Sequence, residues 1–275
     1  MQHAEYKKGI PAMKSPWKNF TVPDRSLFEA TKVIAYAGTD DPFQTLYLSL
    51  PKGKKSVPLI IFFHGGGMTN SIRETPGELF NGKFAIAEPR YRLSPHAKAP
   101  AQIEDAAKVI AWCFEHAAEY GIDRKKIFVG GMSAGAYLSA ISVMDPVHLA
   151  PYGLHYKDIA GLILISGQMT THFRIKADLG RDNGTYNPLI DEYAPLAHLA
   201  ADLPPILMVS GESGFDMPVR PEENAFMAAS LRAMGHKNVR HHILQGHPHG
   251  AVFDSCDYLV RVFVSQILHD MEEGN

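Results

Sequence analysis

A serine between two glycines carries the clearest chemical signal in this chain. The sequence Gly-Met-Ser-Ala-Gly occupies residues 131–135, between the apolar run 127–130 and the helix-like stretch 136–141. At a strand-to-helix junction, this pattern makes a turn so tight that the serine backbone is strained and its hydroxyl is exposed. A side chain at either glycine position would collide with the neighbouring strand and helix. The pattern therefore predicts that Ser133 is a nucleophile.

Three successive glycines follow an apolar run earlier in the chain. The sequence His-Gly-Gly-Gly occupies residues 64–67, directly after the run 57–63. Such a loop can direct several N–H groups into one small space, where they would bind the oxyanion of a tetrahedral intermediate. A plain glycine turn is the alternative. A phosphate loop is disfavoured, because neither Gly-x-Gly-x-x-Gly nor a Gly-Lys-Ser/Thr ending is present.

An acid and a base follow two later predicted strands. Asp216 lies in a loop after one of them, and Glu212 is a rival acid in the same loop. Because residue type cannot separate two carboxylates, position decides, and Asp216 is the favoured partner of the base. The following strand leads to two histidines, His247 and His249. His249 is predicted to be the base, since it comes last before the final helix, and His247 is predicted to border the site as a substrate contact. Ser133 thus precedes the acid and the base, in the order serine, acid, histidine.

The elements that position these residues alternate between strand and helix from residue 57 onward. Continuous apolar runs predict strands that are buried on both faces, and apolar spacings of three and four predict helices. The predicted strands are 33–37, 43–50, 57–63, 84–87, 127–129, 159–165, 206–209 and 239–244; the predicted helices are 101–120, 134–144, 222–234 and 254–269. This alternation predicts an α/β fold with a doubly wound, mainly parallel sheet and an antiparallel N-terminal strand pair at its edge.

One segment interrupts this alternation. Residues 168–203 are rich in Thr, Asn, Pro and charge, and they are predicted to form a short lid or substrate wall over the carboxyl edge of the sheet. Residues 1–30 are read as an N-terminal extension. The sequence predicts a single domain over residues 1–275.

Composition excludes several classes of function. The chain has 275 residues, of which 45% are hydrophobic, so it can bury a large core. A net charge of −2 without a Lys/Arg cluster argues against nucleic acid as a partner. No run approaches the roughly 18 apolar residues of a membrane span, and residues 1–8 lack the apolar part of a secretory signal, so a cytoplasmic location is expected. Cys113 and Cys256 are predicted to be buried thiols in helices.

The assembled motifs resemble the α/β-hydrolases, and more narrowly the esterases similar to hormone-sensitive lipase. Besides the motifs at 64–67 and 131–135, the resemblance rests on Tyr-Arg-Leu-Ser-Pro at 91–95, Ile-Glu-Asp at 103–105 and Tyr-Gly-Ile-Asp at 120–123. It covers residues 57–269. One departure is that Asp216 begins Asp-Met-Pro-Val rather than Asp-Pro-Leu, which is more similar to the feruloyl-esterase and dienelactone-hydrolase-like branches.

The resemblance implies a role for each motif. Ser133 would be the nucleophile, His249 the base and Asp216 the residue that orients it. The oxyanion hole would be built from the N–H groups of three residues, which are Gly66, Gly67 and Ala134. Arg92 and Asp105 would be structural, bracing the loop behind the active site. No metal or organic cofactor is implied.

The function predicted from the sequence is a serine carboxylesterase that hydrolyses small to medium acyl esters through an acyl-enzyme. Its partner would be a small-molecule ester, and the short segment 168–203 favours short acyl chains. One alternative is an amide hydrolase: a peptidase of this kind would need a propeller, for which 275 residues leave no room, whereas a formamidase stays open. Another alternative is an esterase for carbohydrate-linked acetyl or feruloyl groups. A hydrolase-fold binding protein is disfavoured because the serine, the base and the glycines are all present.

Overall fold

Eight strands form one sheet across the residues that the computed structural model describes, which are 24–71, 73–182 and 184–274. The strands are β1 (Lys32–Ala35), β2 (Thr45–Ser49), β3 (Val57–Phe63), β4 (Ala85–Pro89), β5 (Ile122–Met132), β6 (Gly161–Ile165), β7 (Ile206–Gly211) and β8 (Val239–Leu244). Their order in the sheet is β1-β2-β4-β3-β5-β6-β7-β8. β2 is antiparallel to both of its neighbours, and every pair from β4 to β8 is parallel. The predicted fold class is confirmed.

Seven α-helices cover both faces of this sheet in the described part of the chain. They are α1 (Ala101–Glu115), α2 (Ala134–Met144), α3 (Pro146–Leu149), α4 (Phe173–Asp178), α5 (Arg220–Ala233), α6 (His249–Ser255) and α7 (Asp257–Glu273). Apolar side chains of α1, α2 and α5 pack into the core on one face, and those of α6 and α7 pack into the core on the other. The sheet is therefore the middle layer of three.

Strand β3 explains why its sequence is a continuous apolar run. Leu59, Ile61 and Phe63 point into the core beneath α1 and α2. Ile60 and Phe62 point into the core beneath α7. Because successive side chains of a strand lie on opposite faces, a strand between two helical layers must be apolar at every position.

Several predicted boundaries differ from those of the structure. The helix predicted over 101–120 ends at Glu115, and the chain then turns through residues 117–121. The strand predicted over 127–129 extends from Ile122 to Met132, because its polar first half still pairs with β3 at one point. The last helix, predicted over 254–269, is two helices that meet at Cys256. Apolar periodicity continues across both of them, so it does not indicate the break.

Segment 168–203 folds onto the main domain rather than apart from it. Met169 and Ile175 are fully buried in the core shared with α2. The Tyr137 hydroxyl of α2 donates a hydrogen bond of 2.7 Å to the Tyr193 carbonyl oxygen. The segment includes α4 and a 3₁₀ turn at Pro195–His198. These contacts leave it as a layer pressed against α2, while its role as a lid or wall stays a prediction, as does the single domain over 1–275.

Three further expectations concern the ends and the thiols. Most of the predicted extension 1–30, together with the segment examined for a signal, falls outside the described residues. No helix in the described ranges is long and apolar enough to cross a membrane. Both cysteines are buried free thiols, as predicted, although Cys256 lies at the junction of α6 and α7 rather than within a helix.

Candidate active site

The turn between β5 and α2 has the strained geometry that the sequence predicts. Ser133 has φ 54° and ψ −114°, a region that residues with a side chain rarely adopt. A Cβ on Gly135 would lie 2.0 Å from the carbonyl oxygen of Phe63, and one on Gly131 would lie 2.5 Å from the same atom. The steric reason for both glycines is confirmed. The main chain at Ser133 is held by its N–H, which donates a hydrogen bond of 2.8 Å to the carbonyl oxygen of Ile165.

Ser133, His249 and Asp216 form a continuous chain of hydrogen bonds. The Ser133 Oγ lies 2.9 Å from His249 Nε2. The other ring nitrogen, Nδ1, lies 2.7 Å from Asp216 Oδ1. With Nδ1–H donated to a carboxylate, Nε2 is the nitrogen that can accept the serine proton. Ser133 is 9% exposed and the side chain of His249 is 25% exposed, so these bonds are partly buried.

The carboxylate of Asp216 is fully buried and has four hydrogen-bond donors. Besides His249, they are the N–H groups of Gly211 and Met217, each at 2.7 Å, and the hydroxyl of Ser166. Burial raises the pKa of Asp216, but the hydrogen bonds from His249 and Ser166 outweigh it, so the pKa lies below its ordinary value. Asp216 is therefore ionised at neutral pH, as a group that stabilises an imidazolium must be.

The glycine loop after β3 lies beside Ser133. The ideal Cβ position of Gly65 is 3.4 Å from Ser133 Cβ. Gly66 and Gly67 have φ of 93° and 63°, so both need the freedom of glycine. Within the described ranges, the N–H groups of Gly66 and Gly67 have no hydrogen-bond acceptor. The N–H of Ala134 is at the first position of α2, where helices leave such donors unpaired. These three donors stand where the resemblance places an oxyanion hole, and that role stays a prediction.

Two side chains hold the glycine loop from behind. The Tyr91 hydroxyl donates to the carbonyl oxygens of His64 and Gly65, at 2.9 and 3.1 Å. The carboxylate of Glu74 accepts the N–H of Gly65 at 2.6 Å. Burial raises the pKa of Glu74, and its hydrogen bond from Gly65 opposes that rise. Tyr91 is fully buried, so the loop rests on a rigid support.

Arg92 and Asp105 form an ion pair outside the hydrogen-bond chain of the candidate site. The guanidinium of Arg92 donates to both carboxylate oxygens of Asp105, each at 2.8 Å. The main-chain N–H of Arg92 and the side-chain amide of Gln44 donate two further bonds to this carboxylate, of 2.9 and 2.7 Å. Neither Arg92 nor Asp105 makes a hydrogen bond to the Ser133–His249–Asp216 chain among the described residues, in keeping with the structural role that the resemblance implies.

The buried His64 should make the stability of the folded protein depend on pH. Its ring is buried and stacks on Tyr91, with centroids 4.3 Å apart. Burial lowers the pKa of His64 from 6.5 to about 4. The unfolded chain therefore binds a proton at this residue near pH 6.5, whereas the folded protein does so only near pH 4. We expect stability to fall as the pH is lowered through this window, by about 3 kcal/mol from this group alone.

Denaturant unfolding at about pH 7 and at about pH 4.5 measures this contribution, because these two pH values span most of the interval between the pKa of His64 in the unfolded chain and in the folded protein. His64→Gln should lose less stability than the wild type between the two values. The difference isolates His64, because the pKa of the buried His172 is also lowered by burial and acts in both proteins. The exposed His96, changed to Gln, is the matched control. An equal pH dependence in His64→Gln and the wild type would contradict this assignment.

The structure separates the residues that the sequence left as rivals. Glu212 does not reach His249; its carboxylate accepts the N–H of Gly246 at 2.6 Å and so ties the loop after β7 to the loop after β8. His247 has its ring nitrogens 2.8 Å from the carbonyl oxygen of Gln245 and 3.0 Å from the Ser255 hydroxyl. Its role as a substrate contact stays a prediction. His249, which the sequence places before the final helix, is itself the first residue of α6.

Sequence reasoning missed Ser166 and Phe173. Ser166 is fully buried, and its hydroxyl contacts both Asp216 and His249. Phe173 reaches the glycine loop, with its Cζ 3.4 Å from the ideal Cβ position of Gly67. The signal for Ser166 was available: it follows the apolar run of β6 directly, as Ser133 follows β5. No such signal marks Phe173, because its contact depends on how segment 168–203 folds.

No metal site accompanies these residues in the described ranges. No three His, Cys, Asp or Glu side chains of that part of the chain are grouped as metal ligands would be. The expected absence of a cofactor stays a prediction.

Two family models match the chain. The first, BD-FAE, matches residues 46–147. The second, the prolyl oligopeptidase family, matches residues 97–258, which is more than half of the chain and includes Ser133, Asp216 and His249. The chain belongs to the prolyl oligopeptidase family. Membership confirms the predicted resemblance to the α/β-hydrolases. The two family models overlap between residues 97 and 147, a range that includes Ser133.

Curated relatives of this family member include mycobacterial esterases. Esterase LipC of Mycobacterium tuberculosis is 26% identical over 260 residues, covering 83% of this chain and 63% of that protein. Carboxylesterase NlhH of the same species is 29% identical over 208 residues, covering 71% and 61%. Carboxylic ester hydrolase LipN, also of that species, is 38% identical over 97 residues, covering 33% and 26%. The chain spans between about a quarter and three fifths of the length of these relatives.

Solved structures establish the fold of this family member. A truncated form of a carbohydrate esterase from gut microbiota has a TM-score of 0.74 at 19% identity, covering 90% of this chain and 99% of that one. Esterase 2 of Thermogutta terrifontis, with butyrate bound, has a TM-score of 0.68 at 22% identity, covering 86% and 94%. At these identities the likeness concerns the fold, which is the α/β-hydrolase fold that the sequence predicts.

Proposed function

We propose that this protein is a serine carboxylesterase that acts on small to medium acyl esters. The observation that carries this proposal is the hydrogen-bond chain from Ser133 through His249 to Asp216, with contacts of 2.9 and 2.7 Å. The N–H groups of Gly66 and Gly67, which have no acceptor among the described residues, support it. The relatives named as esterases and carboxylesterases support the ester as the bond that is cleaved.

The proposed reaction follows from this arrangement. His249 Nε2 takes the proton of Ser133 as Oγ attacks the ester carbonyl carbon, and the N–H groups of Gly66, Gly67 and Ala134 bind the oxyanion that forms. Asp216 stabilises the imidazolium. His249 then gives its proton to the alkoxide, which leaves. Water, deprotonated by His249, attacks the acyl-enzyme in the same way and releases the acid from Ser133.

A short acyl group fits the way segment 168–203 packs. Two apolar side chains of the segment, Met169 and Ile175, are buried in the core and so are offered to no ligand, whereas Tyr186 and Ile190 are exposed. Phe173 lies against the loop of Gly67 and would bound the space beside the oxyanion. Each CH₂ that is truly covered contributes only about 0.8 kcal/mol, so a small wall gives little preference for long chains. Propionate and butyrate occur in solved structures of the Thermogutta terrifontis esterase.

We expect kcat/KM to be higher for p-nitrophenyl butyrate than for p-nitrophenyl laurate, since the short segment 168–203 forms only a small wall beside the site. A series from acetate to laurate measures this preference. The same series with Phe173→Ala should increase the relative rate on hexanoate, because the wall beside Gly67 is removed. Phe226→Ala is the matched control, as Phe226 is exposed on α5. A higher kcat/KM for laurate than for butyrate in the wild type would overturn the short-chain assignment.

The second candidate is an esterase for acyl groups on carbohydrates. Two structural matches are described as a carbohydrate esterase and as a bifunctional GH43-CE protein of Bacteroides eggerthii. An acetylated sugar and a feruloyl ester therefore belong in the substrate series. A p-nitroanilide with the butyryl group tests the amide alternative, and faster cleavage of that amide than of the matching ester would contradict the carboxylesterase proposal.

A further inference from the structure

Ser166 lies where the acid and the base of the site meet. Its Oγ is 2.9 and 2.7 Å from the two carboxylate oxygens of Asp216, and it is 2.9 Å from His249 Nδ1. The residue is fully buried. Asp216 can only accept, so the Ser166 O–H donates to Asp216, and the Ser166 oxygen is free to share the Nδ1–H of His249. One hydroxyl therefore contacts both the imidazole of His249 and the carboxylate that orients it.

The position of Ser166 follows from the topology. It comes directly after β6, which lies between β5 and β7 in the sheet. Ser133 follows β5 and Asp216 follows β7, so the hydroxyl of Ser166 occupies the place between the nucleophile and the acid. The parallel strands end at a common edge, and this brings the three residues together.

The backbone of Ser166 is held in a conformation that serine rarely adopts. Its φ is 44°, in the left-handed region, where a residue with a side chain is strained. Its N–H donates to the carbonyl oxygen of Val209 at 2.7 Å. Its carbonyl oxygen accepts a hydrogen bond of 2.8 Å from the guanidinium of Arg220, which is itself buried. Bonds to charged donors are the stronger ones, so Arg220 holds the strained residue in place.

We propose that Ser166 is a positioning residue for the proposed esterase reaction: its hydroxyl fixes the carboxylate of Asp216 and the ring of His249 so that Nε2 faces Ser133. Without it, the buried carboxylate loses one donor, and the space of one oxygen atom is left between acid and base. The imidazole can then tilt, and a displacement of about 1 Å at such a site costs about 100-fold in rate. This inference deepens the proposed function and rests on it.

The first test is the kinetics of Ser166→Ala with a short p-nitrophenyl ester. We expect kcat to fall by about 10- to 100-fold, with KM changed by less than about twofold, because the hydroxyl contacts groups that act in the transition state. The rate at which a fluorophosphonate labels Ser133 should fall by the same factor. Ser166→Gly should give the same loss of kcat, since it removes the hydroxyl while relieving the positive φ.

Ser210→Ala is the matched control. Ser210 lies on β7, is fully buried, and its hydroxyl has no hydrogen-bond partner among the described residues. The change removes the same atom from the neighbouring strand and should leave kcat and the labelling rate unaltered. Wild-type kcat in Ser166→Ala, or an equal loss in Ser210→Ala, would overturn the positioning role.

A second readout does not depend on catalysis. The Nδ1 proton of His249, hydrogen-bonded to Asp216, should give a downfield ¹H NMR resonance that is absent from His249→Ala. In Ser166→Ala this resonance should shift or broaden, and in Ser210→Ala it should keep its position. If the wild type cleaves no ester yet the resonance shifts as expected, the proposed function fails and the positioning role stands. A resonance that keeps both its position and its width in Ser166→Ala overturns the positioning role whatever the activity.

Discussion

Ser133→Ala is expected to abolish covalent labelling by a fluorophosphonate and to lower kcat by about five to six orders of magnitude. Only an activated hydroxyl attacks such a reagent, and the Ser133 Oγ is activated by His249 Nε2 at 2.9 Å. The change removes one oxygen atom and keeps the backbone, so the folding transition should be retained. Mass spectrometry of the labelled protein and rates with a short ester measure the two effects.

Ser142→Ala is the control for this change. Ser142 is a buried serine of α2, the helix that begins at Ala134, and its hydroxyl has no partner among the described residues. The variant should be labelled and should turn over as the wild type does. Persistent labelling of Ser133→Ala would show that another residue is the nucleophile and would contradict the assignment of Ser133.

His249→Ala is expected to have the second largest effect, lowering kcat by about four or more orders of magnitude, because members of such a triad act as a unit. The ring of His249 is the one contact between Ser133 and Asp216 in the described hydrogen-bond chain. His247→Ala should lower kcat by at most about tenfold, because its ring contacts Gln245 and Ser255 at 2.8 and 3.0 Å.

The comparison of the two histidine variants is internally controlled. They lie two residues apart, on either side of Pro248, and both changes remove an imidazole from the same region of the surface. Steady-state kinetics on one ester, together with thermal unfolding of each variant, separates a loss of activity from a loss of folding. A larger loss of kcat in His247→Ala would mean that the base has been assigned to the wrong histidine.

The strands of the sheet were predictable because burial on both faces requires an apolar run, which is visible in the sequence. The run of β3 is apolar at every position since both faces are covered, and the sequence carries that pattern directly. The break between α6 and α7 was not predictable in this way. Both helices bury one apolar face against the same core, so the periodicity runs on and does not mark the break at Cys256.

For the candidate site, the sequence by itself determined the tight turn at Ser133 and the glycine loop at 64–67. At the turn a Cβ on Gly131 or Gly135 would collide with the carbonyl oxygen of Phe63, and in the loop Gly66 and Gly67 need positive φ, so glycine is required in both places and the sequence shows it. The order of the strands then placed the acid and the histidine at the same edge of the sheet.

Only the tertiary structure decided which side chains meet at that edge. Ser133 and His249 are 116 positions apart, and the choice of Asp216 over Glu212 depends on how the loop after β7 turns. Ser166 is one more serine in the sequence, yet in the structure it touches both Asp216 and His249. The reason is physical: residue type and spacing specify local conformation, whereas contacts of 3 Å or less between distant strands are set by the packing of the whole core.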